Sequence, residues 1–142
     1  MPFEHPDAPE WTPLLQAAWE TRAHAHAPYS GFQVGAALQV RGLGILTGCN
    51  VENASYGGTI CAERAALVAA VAKGLKPGGL EALVVVTEAE DPTPPCGFCR
   101  QVLVEFAEAL PVLLANRTAR RLHDLRDLLP HAFSGRNFLP PG

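Results

Sequence analysis

Residues 82–87 read Ala-Leu-Val-Val-Val-Thr, a nearly unbroken apolar run. A strand with one face in water alternates apolar and polar residues, so a continuous run predicts a strand that is covered on both faces. Residues 99–110 have helical character, and residues 111–115 form a second apolar run. The order strand, helix, strand predicts an α/β domain in which helices pack on a mixed sheet.

Three other segments predict helices: 11–22, 61–73 and 124–129. The first has helical spacing of its apolar residues, with Thr12 as a predicted N-cap and Pro13 in the first turn. The second is apolar almost all round and stops before Gly74, which predicts a short helix buried on several sides. The third is predicted to be a short closing helix.

Three further segments predict strands: 34–40, 45–51 and 118–123. The first two are separated by a glycine-containing turn and predict a hairpin, and the third predicts an edge strand. The predicted fold is therefore a single three-layer α/β domain over residues 1–142, with a mixed five-stranded sheet and helices packed on both faces. Prolines and the lack of periodicity predict poorly ordered tails at residues 1–10 and 134–142.

Composition excludes several classes of partner. The 11 Lys and Arg residues are scattered and the net charge is −3, so the chain offers no basic surface for a polyanion and nucleic acid is not an expected partner. The N-terminus lacks the features of a signal peptide, and no run approaches the ~20 apolar residues of a membrane span. We therefore expect no membrane association and a cytoplasmic location.

Four cysteines in a reducing compartment indicate metal-binding, catalytic or buried thiols rather than disulfides. Cys96 and Cys99 form a C-x-x-C pair that follows a proline-rich loop and opens a predicted helix. The helix dipole and free backbone amides at such an end lower the pKa of a cysteine, and thiolate is the form that binds metal. The pair alone fits a metal site, a redox motif or a structural role.

Cys61 and Glu63 stand at the start of another predicted buried helix, where a carboxylate among Ala, Leu and Val requires an explanation. Three thiolates leave one position of a tetrahedral zinc site open, as in catalytic sites, and water takes that place. Zinc lowers the pKa of such a water, and a nearby carboxylate can take its proton and pass it on. Catalysis therefore accounts for Glu63.

Residues two apart in an ideal helix diverge by about 200°. Cys61 and Glu63 can therefore converge only if the first turn is irregular or the substrate lies between them. Three thiolates on Zn²⁺ also leave a net negative charge, which weakens the metal as an acid. Arg64 is hypothesised to offset this charge by hydrogen-bonding the sulfurs.

Five segments carry a family resemblance, and they read PYSGFQVGAAL (28–38), GCNVENASY (48–56), CAER (61–64), PCGFCRQ (95–101) and LLP (128–130). In this order they resemble the small homotetrameric, zinc-dependent cytidine deaminases, with a match that extends to Phe133 and covers about three-quarters of the chain. Each segment alone is short, but together they are highly specific.

The resemblance implies a role for each matched residue. Cys61, Cys96 and Cys99 would bind one Zn²⁺ per chain, and a zinc-bound hydroxide would attack carbon 4 of cytosine. Glu63 would protonate ring nitrogen 3 and then assist the departure of ammonia. Cytidine and 2′-deoxycytidine would thus become uridine and 2′-deoxyuridine, in pyrimidine salvage.

The resemblance also implies the substrate contacts. Asn50 and Glu52 would hydrogen-bond the ribose hydroxyls, and Phe32 would stack near the base. Ala54 and Tyr56 would lie near the substrate as well. An aromatic residue of a neighbouring subunit, Phe133, would complete each site, which requires a homotetramer. Without the resemblance, the two phenylalanines would be read as core residues, and Asn50 and Glu52 as a solvated loop.

Two features depart from the family pattern or lie outside it. Phe98 stands where the family usually has a small residue, although zinc binding should survive. Cys49 is better interpreted as a buried free thiol than as a ligand.

Two rival functions stay open. One is a structural zinc module that Cys49 closes as a fourth thiolate while Glu63 caps a helix. The other is a deaminase with a different substrate, such as a blasticidin-type nucleoside deaminase or a tRNA adenosine deaminase. Segment 50–56 and the acidic balance of the chain favour simple nucleosides as substrates over blasticidin and tRNA.

Overall fold

Five strands form one mixed sheet in the computed structural model, which describes residues 2–140. In spatial order they are β2 (Gly44–Cys49), β1 (Gly35–Val40), β3 (Leu80–Val86), β4 (Pro111–Ala115) and β5 (Arg120–Asp124). Strands β3 and β4 are parallel, and the other three neighbouring pairs are antiparallel. The predicted α/β fold with a mixed five-stranded sheet is confirmed.

Helices cover both faces of this sheet. They are α1 (Trp11–Arg22), α2 (Ala62–Ala72), α3 (Gly97–Val104) and α4 (Leu125–Leu128). One core cluster joins α1 to one face of the sheet, and a second cluster joins α2 and α3 to the other face. The molecule therefore has three layers, with α2 and α3 side by side on the same face.

Strand β3 shows why its sequence lacks polar alternation. Val84 and Val86 pack in the α1 cluster, whereas Leu83 and Val85 pack in the cluster of α2 and α3, and each of these side chains is at most 1% exposed. Complete burial of such a side chain contributes roughly 1.5–3 kcal/mol relative to exposure. A polar residue on either side of β3 would therefore lie in a core.

Two glycines let the helices approach the sheet closely. A Cβ atom at Gly48 in β2 would lie 2.4 Å from both the Ala62 carbonyl oxygen and the Ala66 backbone nitrogen of α2. A Cβ atom at Gly35 in β1 would lie 2.1 Å from the Ala18 carbonyl oxygen of α1. Neither position has room for a side chain, so these contacts fix α1 and α2 against the sheet.

The start of α1 differs from its prediction. The helix begins at Trp11 and Glu10 occupies the N-cap position, so the prediction of Thr12 as N-cap is wrong, although Pro13 does lie in the first turn. The Trp11 indole is fully buried and donates its N–H to the His5 carbonyl oxygen at 3.1 Å. Core packing of this indole, rather than a capping side chain, accounts for the start of the helix.

The end of α3 also differs. The helix was predicted over residues 99–110, but it ends at Val104. The Gly78 backbone N–H donates to the Phe106 carbonyl oxygen at 2.8 Å, so this carbonyl is taken by another segment. Leu110 is fully buried just before β4. The apolar residues after Val104 therefore serve tertiary packing rather than a longer helix.

The described parts of both predicted tails make specific contacts, and the poor order expected there stays a prediction. Phe3 packs edge-on against Trp11 with ring centroids 4.7 Å apart. Residues Gly135–Asn137 form a 3₁₀ turn closed by a Ser134 capping box. Met1 and residues 141–142 lie outside the described residues. Pro6 and Pro9 lie in turns.

The assignment of residues 1–142 to a single domain stays a prediction. Across residues 2–140, no helix combines the length and the apolar content that a membrane crossing requires.

Candidate metal centre and active site

Three thiols converge where α2 and α3 begin. Cys61 occupies the N-cap position of α2 and Cys96 that of α3, both with extended backbone, and Cys99 lies in the first turn of α3. Neither N-cap thiol caps a backbone N–H of its own helix, and the two sulfurs face each other. The extended backbone of Cys61 is the irregularity that lets it converge with Glu63.

The spacing of these thiols fits a zinc ion. The Sγ atoms of Cys61 and Cys96 are 3.6 Å apart, and those of Cys96 and Cys99 are 3.5 Å apart. All three lie within 4.8 Å of one another. Zn–S bonds of about 2.3 Å in a tetrahedron place sulfurs about 3.8 Å apart. The donor set therefore suits zinc with one coordination position left for a non-protein ligand.

Cys49 takes no part in this cluster. It is a half-buried free thiol at the end of β2. A closed site with four protein thiolates, as the structural zinc module would require, is therefore not formed.

The cluster favours thiolate at one position and thiol at another. Hydrogen bonding from Cys99, reinforced by Arg64, lowers the pKa of Cys61 to about 5. The same contact with Cys61, together with burial, raises the pKa of Cys99 well above its usual range. Thiolate is therefore favoured at Cys61 and thiol at Cys99, and metal binding to both sulfurs would release the remaining proton.

Glu63 is a buried carboxyl group beside the thiols. It lies in the first turn of α2 and is 5% exposed. Burial is the main cause that raises the pKa of Glu63 to about 7, and the neighbouring charge of Cys61 acts in the same direction. A carboxyl group with a pKa near neutrality is suited to take up and release a proton at physiological pH.

Arg64 contacts the thiol cluster through Cys61. Its Nη2 atom donates to the Thr59 carbonyl oxygen at 3.0 Å and lies 3.5 Å from the Cys61 sulfur. Its guanidinium carbon is 5.7 Å from the centroid of the Phe98 ring. Phe98 is 76% exposed, so its bulk lies outside the core.

Two loops, residues 26–33 and 50–60, border the metal cluster, and we call them the rim loops. A β-bridge joins Val51 to Ile60 in antiparallel register. Asn50, which precedes Val51, and Cys61, which follows Ile60, therefore lie on the same side of this bridge. Asn50 is 7% exposed; its amide nitrogen donates to the Phe32 carbonyl oxygen at 2.7 Å, and its amide oxygen accepts from the Val34 N–H at 2.8 Å. Asn50 thus fixes the backbone on both sides of residue 33.

Glu52 bonds across to the other rim loop. Its Oε1 atom accepts the backbone N–H groups of Tyr29 at 3.0 Å and Ser30 at 3.1 Å, and its Oε2 atom accepts the Ser30 hydroxyl. The Ser30 hydroxyl bond is the largest of the causes that lower the pKa of Glu52. Glu52 is therefore an ionised acceptor at neutral pH.

The predicted aromatic residues occupy two places. Phe32 is 40% exposed in one rim loop, and Tyr56 is 70% exposed in the other, 5.2 Å from Tyr29 between ring centroids. Ala54 is an exposed residue of the same loop. Phe133 is 63% exposed and stacks on Phe138 at 5.6 Å. The structure therefore brings Phe32, Asn50 and Glu52 into one network and leaves Phe133 apart from it.

Comparison with known proteins connects this geometry to a family. The sequence pattern of the cytidine and deoxycytidylate deaminase zinc-binding region matches residues 10–114. The chain belongs to the cytidine and deoxycytidylate deaminase family. This membership confirms the predicted zinc cofactor and the predicted class of enzyme, a zinc-dependent hydrolase.

Several cytidine deaminases are similar to this family member over most of its length. One from Burkholderia pseudomallei, known from a crystal structure, is 48% identical and has a TM-score of 0.83, with 86% of this chain and 98% of that one covered. Another, from Mycobacterium tuberculosis, is 44% identical with a TM-score of 0.74, and 87% and 97% of the two chains are covered. The cytidine deaminase of Halalkalibacterium halodurans is 41% identical over 123 residues, which cover 85% of this chain and 92% of its own.

In this deaminase family member, two further side chains tie the segment after Cys96 to its surroundings, and sequence reasoning missed them. Arg100 donates from Nε to the Pro95 carbonyl oxygen and from Nη1 to the Leu128 carbonyl oxygen, both at 2.7 Å. Gln101 donates to the Phe133 carbonyl oxygen at 2.7 Å. The only sequence signal for them is their place in segment 95–101, directly after Cys99, because polar residues in a helix are by default solvent-exposed.

Proposed function

We propose that this protein hydrolyses the exocyclic amine of cytidine and 2′-deoxycytidine, consuming water and releasing uridine or 2′-deoxyuridine and ammonia. The observation that carries the proposal is the cluster of three thiols within 4.8 Å beside a buried carboxyl group with a pKa of about 7. The names of the similar proteins support cytidine as the substrate.

The proposal assigns Cys61, Cys96 and Cys99 as the ligands of one zinc ion per chain. When bound, zinc supplies Lewis-acid chemistry: it lowers the pKa of a coordinated water so that a nucleophile forms near neutral pH. Arg64 offsets the negative charge of the thiolates through its contact with Cys61. This charge balance favours a metal centre that acts as an acid.

Glu63 is the proton carrier of the proposed reaction. Its carboxylate takes a proton from the attacking water and delivers one to ring nitrogen 3 of cytosine. It then takes the proton of the hydroxyl group newly bonded to carbon 4 and delivers it to the amine, so that the carbon–nitrogen bond breaks, ammonia departs and the carbon 4 carbonyl forms. The pKa of about 7 supports both directions of transfer, because neither protonation state is strongly favoured at neutral pH.

The rim loops provide the proposed nucleoside contacts. Glu52 accepts a sugar hydroxyl, and Asn50, whose amide has one donor and one acceptor position beyond its two backbone bonds, reaches the sugar beside it. Phe32 offers an exposed ring to the base, and Ala54 and Tyr56 border the substrate. The hydroxyl-binding pair supports a nucleoside rather than a free base.

The proposal includes a homotetramer in which Phe133 of each chain completes a neighbouring site. The exposed Phe133 ring and the exposed Val68 and Val71 side chains of α2 support an interface between chains. Sedimentation that shows only monomer at working concentration would refute this part of the proposal. Reduced thiol ligands support the cytoplasm as location and pyrimidine salvage as context.

The test is to incubate the purified protein with cytidine and measure uridine, ammonia and zinc per chain. We expect equimolar uridine and ammonia with about one zinc per chain, as one open zinc site implies. Zinc without turnover of cytidine or 2′-deoxycytidine would overturn the proposal, as would better turnover of blasticidin or of tRNA.

A further inference from the structure

The turn that faces Glu52 is built to hold a carboxylate. Gly31 adopts a φ of +72°, and its N–H donates to the Ala27 carbonyl oxygen at 2.9 Å. This turn directs two consecutive backbone N–H groups, those of Tyr29 and Ser30, at the single Oε1 atom of Glu52. Successive N–H groups that converge in this way form an anion-binding concavity.

Ser30 has a second role in the same turn. Its Oγ atom accepts the Phe32 backbone N–H at 3.0 Å. A backbone N–H can only donate, and an ionised carboxylate can only accept. The Ser30 hydroxyl proton must therefore point to Oε2 of Glu52. The direction of the chain of hydrogen bonds is fixed from Phe32 through Ser30 to Glu52.

These bonds leave Glu52 with a limited capacity. A carboxylate offers about four acceptor positions. Among the residues that the structure describes, three donors fill three of these positions on Glu52: two backbone N–H groups on Oε1 and the Ser30 hydroxyl on Oε2. One position on Oε2 remains, and its direction depends on the bond that Ser30 makes.

We propose that Ser30 is a positioning residue that orients Glu52, so that Glu52 presents one acceptor position to a single sugar hydroxyl. This inference rests on the proposed function and assigns a determinant of its substrate affinity. Ser30 itself touches neither the substrate nor the metal. A substrate that lacks that hydroxyl group makes no hydrogen bond to Glu52, so Ser30 adds nothing to its affinity.

The test compares three enzymes on three substrates. Wild type, Ser30→Ala and Ser30→Thr are assayed with cytidine, 2′-deoxycytidine and 3′-deoxycytidine, and kcat and KM are measured separately. We expect Ser30→Ala to raise KM for cytidine about tenfold with kcat changed less than about twofold, since one charge-assisted hydrogen bond is lost. Ser30→Thr keeps the hydroxyl and should restore KM to within about threefold of wild type.

The substrate comparison separates positioning from a general structural effect. The penalty of Ser30→Ala should vanish on the one deoxy analogue that lacks the hydroxyl bound by Glu52, and persist on the other. An equal penalty on all three substrates, or a fall in kcat with KM unchanged, would overturn the inference. If Ser30→Ala fails to fold, Ser30→Cys carries the same comparison with a weaker donor. Wild type that deaminates none of the three substrates would instead refute the proposed function.

Discussion

The metal end of the molecule lies at the starts of two helices and consists of Cys61, Glu63, Cys96 and Cys99. The rim loops, in contrast, are held together by hydrogen bonds between them. Glu63 and Cys99 are buried, and α2 and α3 pack on the same sheet face. In the rim loops, Phe32 and Tyr56 are exposed, and Asn50 and Glu52 bond chiefly to backbone groups of residues 29–34.

This contrast assigns different tasks to the two regions. Burial at the metal end fixes ligand geometry and shifts the pKa of Glu63 toward neutrality, which a solvated loop cannot do. Hydrogen bonds in the rim loops orient groups that must still meet solvent and substrate. Substitutions at the metal end should therefore change zinc content, kcat or stability, and those in the rim loops should change KM.

The largest effect is expected for Cys96→Ala. Cys96 is exposed, so its loss removes a ligand and a negative charge without opening the core. Zinc per chain and turnover of cytidine should both fall nearly to zero, as measured by metal analysis and uridine formation. Cys49→Ala is the matched control and should keep both. Retention of one zinc per chain in Cys96→Ala would remove Cys96 from the ligand set.

Glu63→Gln should keep zinc and fold but reduce kcat by ~10² to 10⁴, the usual contribution of a positioned proton carrier. Glutamine has nearly the same shape and cannot exchange a proton at neutral pH. Metal analysis and single-turnover kinetics check the two parts. Near-normal turnover would show that another group moves the proton.

Zinc-free protein should show the pH dependence of the buried Glu63. Its pKa is raised from 4.5 to about 7, so its contribution to stability is fully present below about pH 4.5 and is lost as pH rises to about 7. The difference amounts to at most about 3 kcal/mol. Denaturant unfolding of chelator-treated wild type and Glu63→Gln between these pH values measures it. If the free energy of unfolding had the same pH dependence in both proteins, burial would not raise the pKa of Glu63.

Gly48→Ala should destabilise the fold by about 3 kcal/mol, because the new Cβ atom would meet backbone atoms of α2. Gly57→Ala in a rim loop is the matched control, since a Cβ atom there meets nothing within 4 Å. Urea unfolding of both variants compares the two regions directly. Equal stability of the two would show that α2 can shift away from β2 at little cost.

The smallest change in stability is expected for Glu52→Gln. It should raise KM for cytidine about tenfold, because the substrate hydroxyl loses a charged acceptor. The free energy of unfolding should change less than in Gly48→Ala, because the glutamine amide oxygen can still accept the backbone N–H groups of Tyr29 and Ser30. Steady-state kinetics and thermal unfolding check both. A large fall in kcat would contradict the expectation that substitutions in the rim loops change KM and not kcat.

The parts of the fold that depend on local sequence were predictable. The apolar run of β3 and the spacing of Cys96 and Cys99 are set within a few residues, so the strand and the thiol pair followed from the sequence. The end of α3 was missed because a contact from Gly78 determines it. The start of α1 was missed because burial of Trp11 determines it.

The candidate site was predictable to a similar degree. Resemblance placed the three cysteines and Glu63 together, and the extended backbone of Cys61 explains how they converge. Ser30 was missed because its partner Glu52 is distant in sequence, and no spacing rule joins a turn to a carboxylate on another loop. Hydrogen bonds between loops depend on a tertiary arrangement that periodicity does not encode.

The packing of α1 has a consequence for how the chain acquires its fold. The apolar side of this helix, with Trp11 and Leu14, is covered by Val84, Val86 and Leu113. These partners follow much later in the chain, so a ribosome releases α1 well before the strands that cover it exist. Contacts between such distant residues slow folding and prolong the exposure of apolar surface. The part of the apolar side of α1 that faces β3 and β4 therefore stays uncovered until those strands have been synthesised.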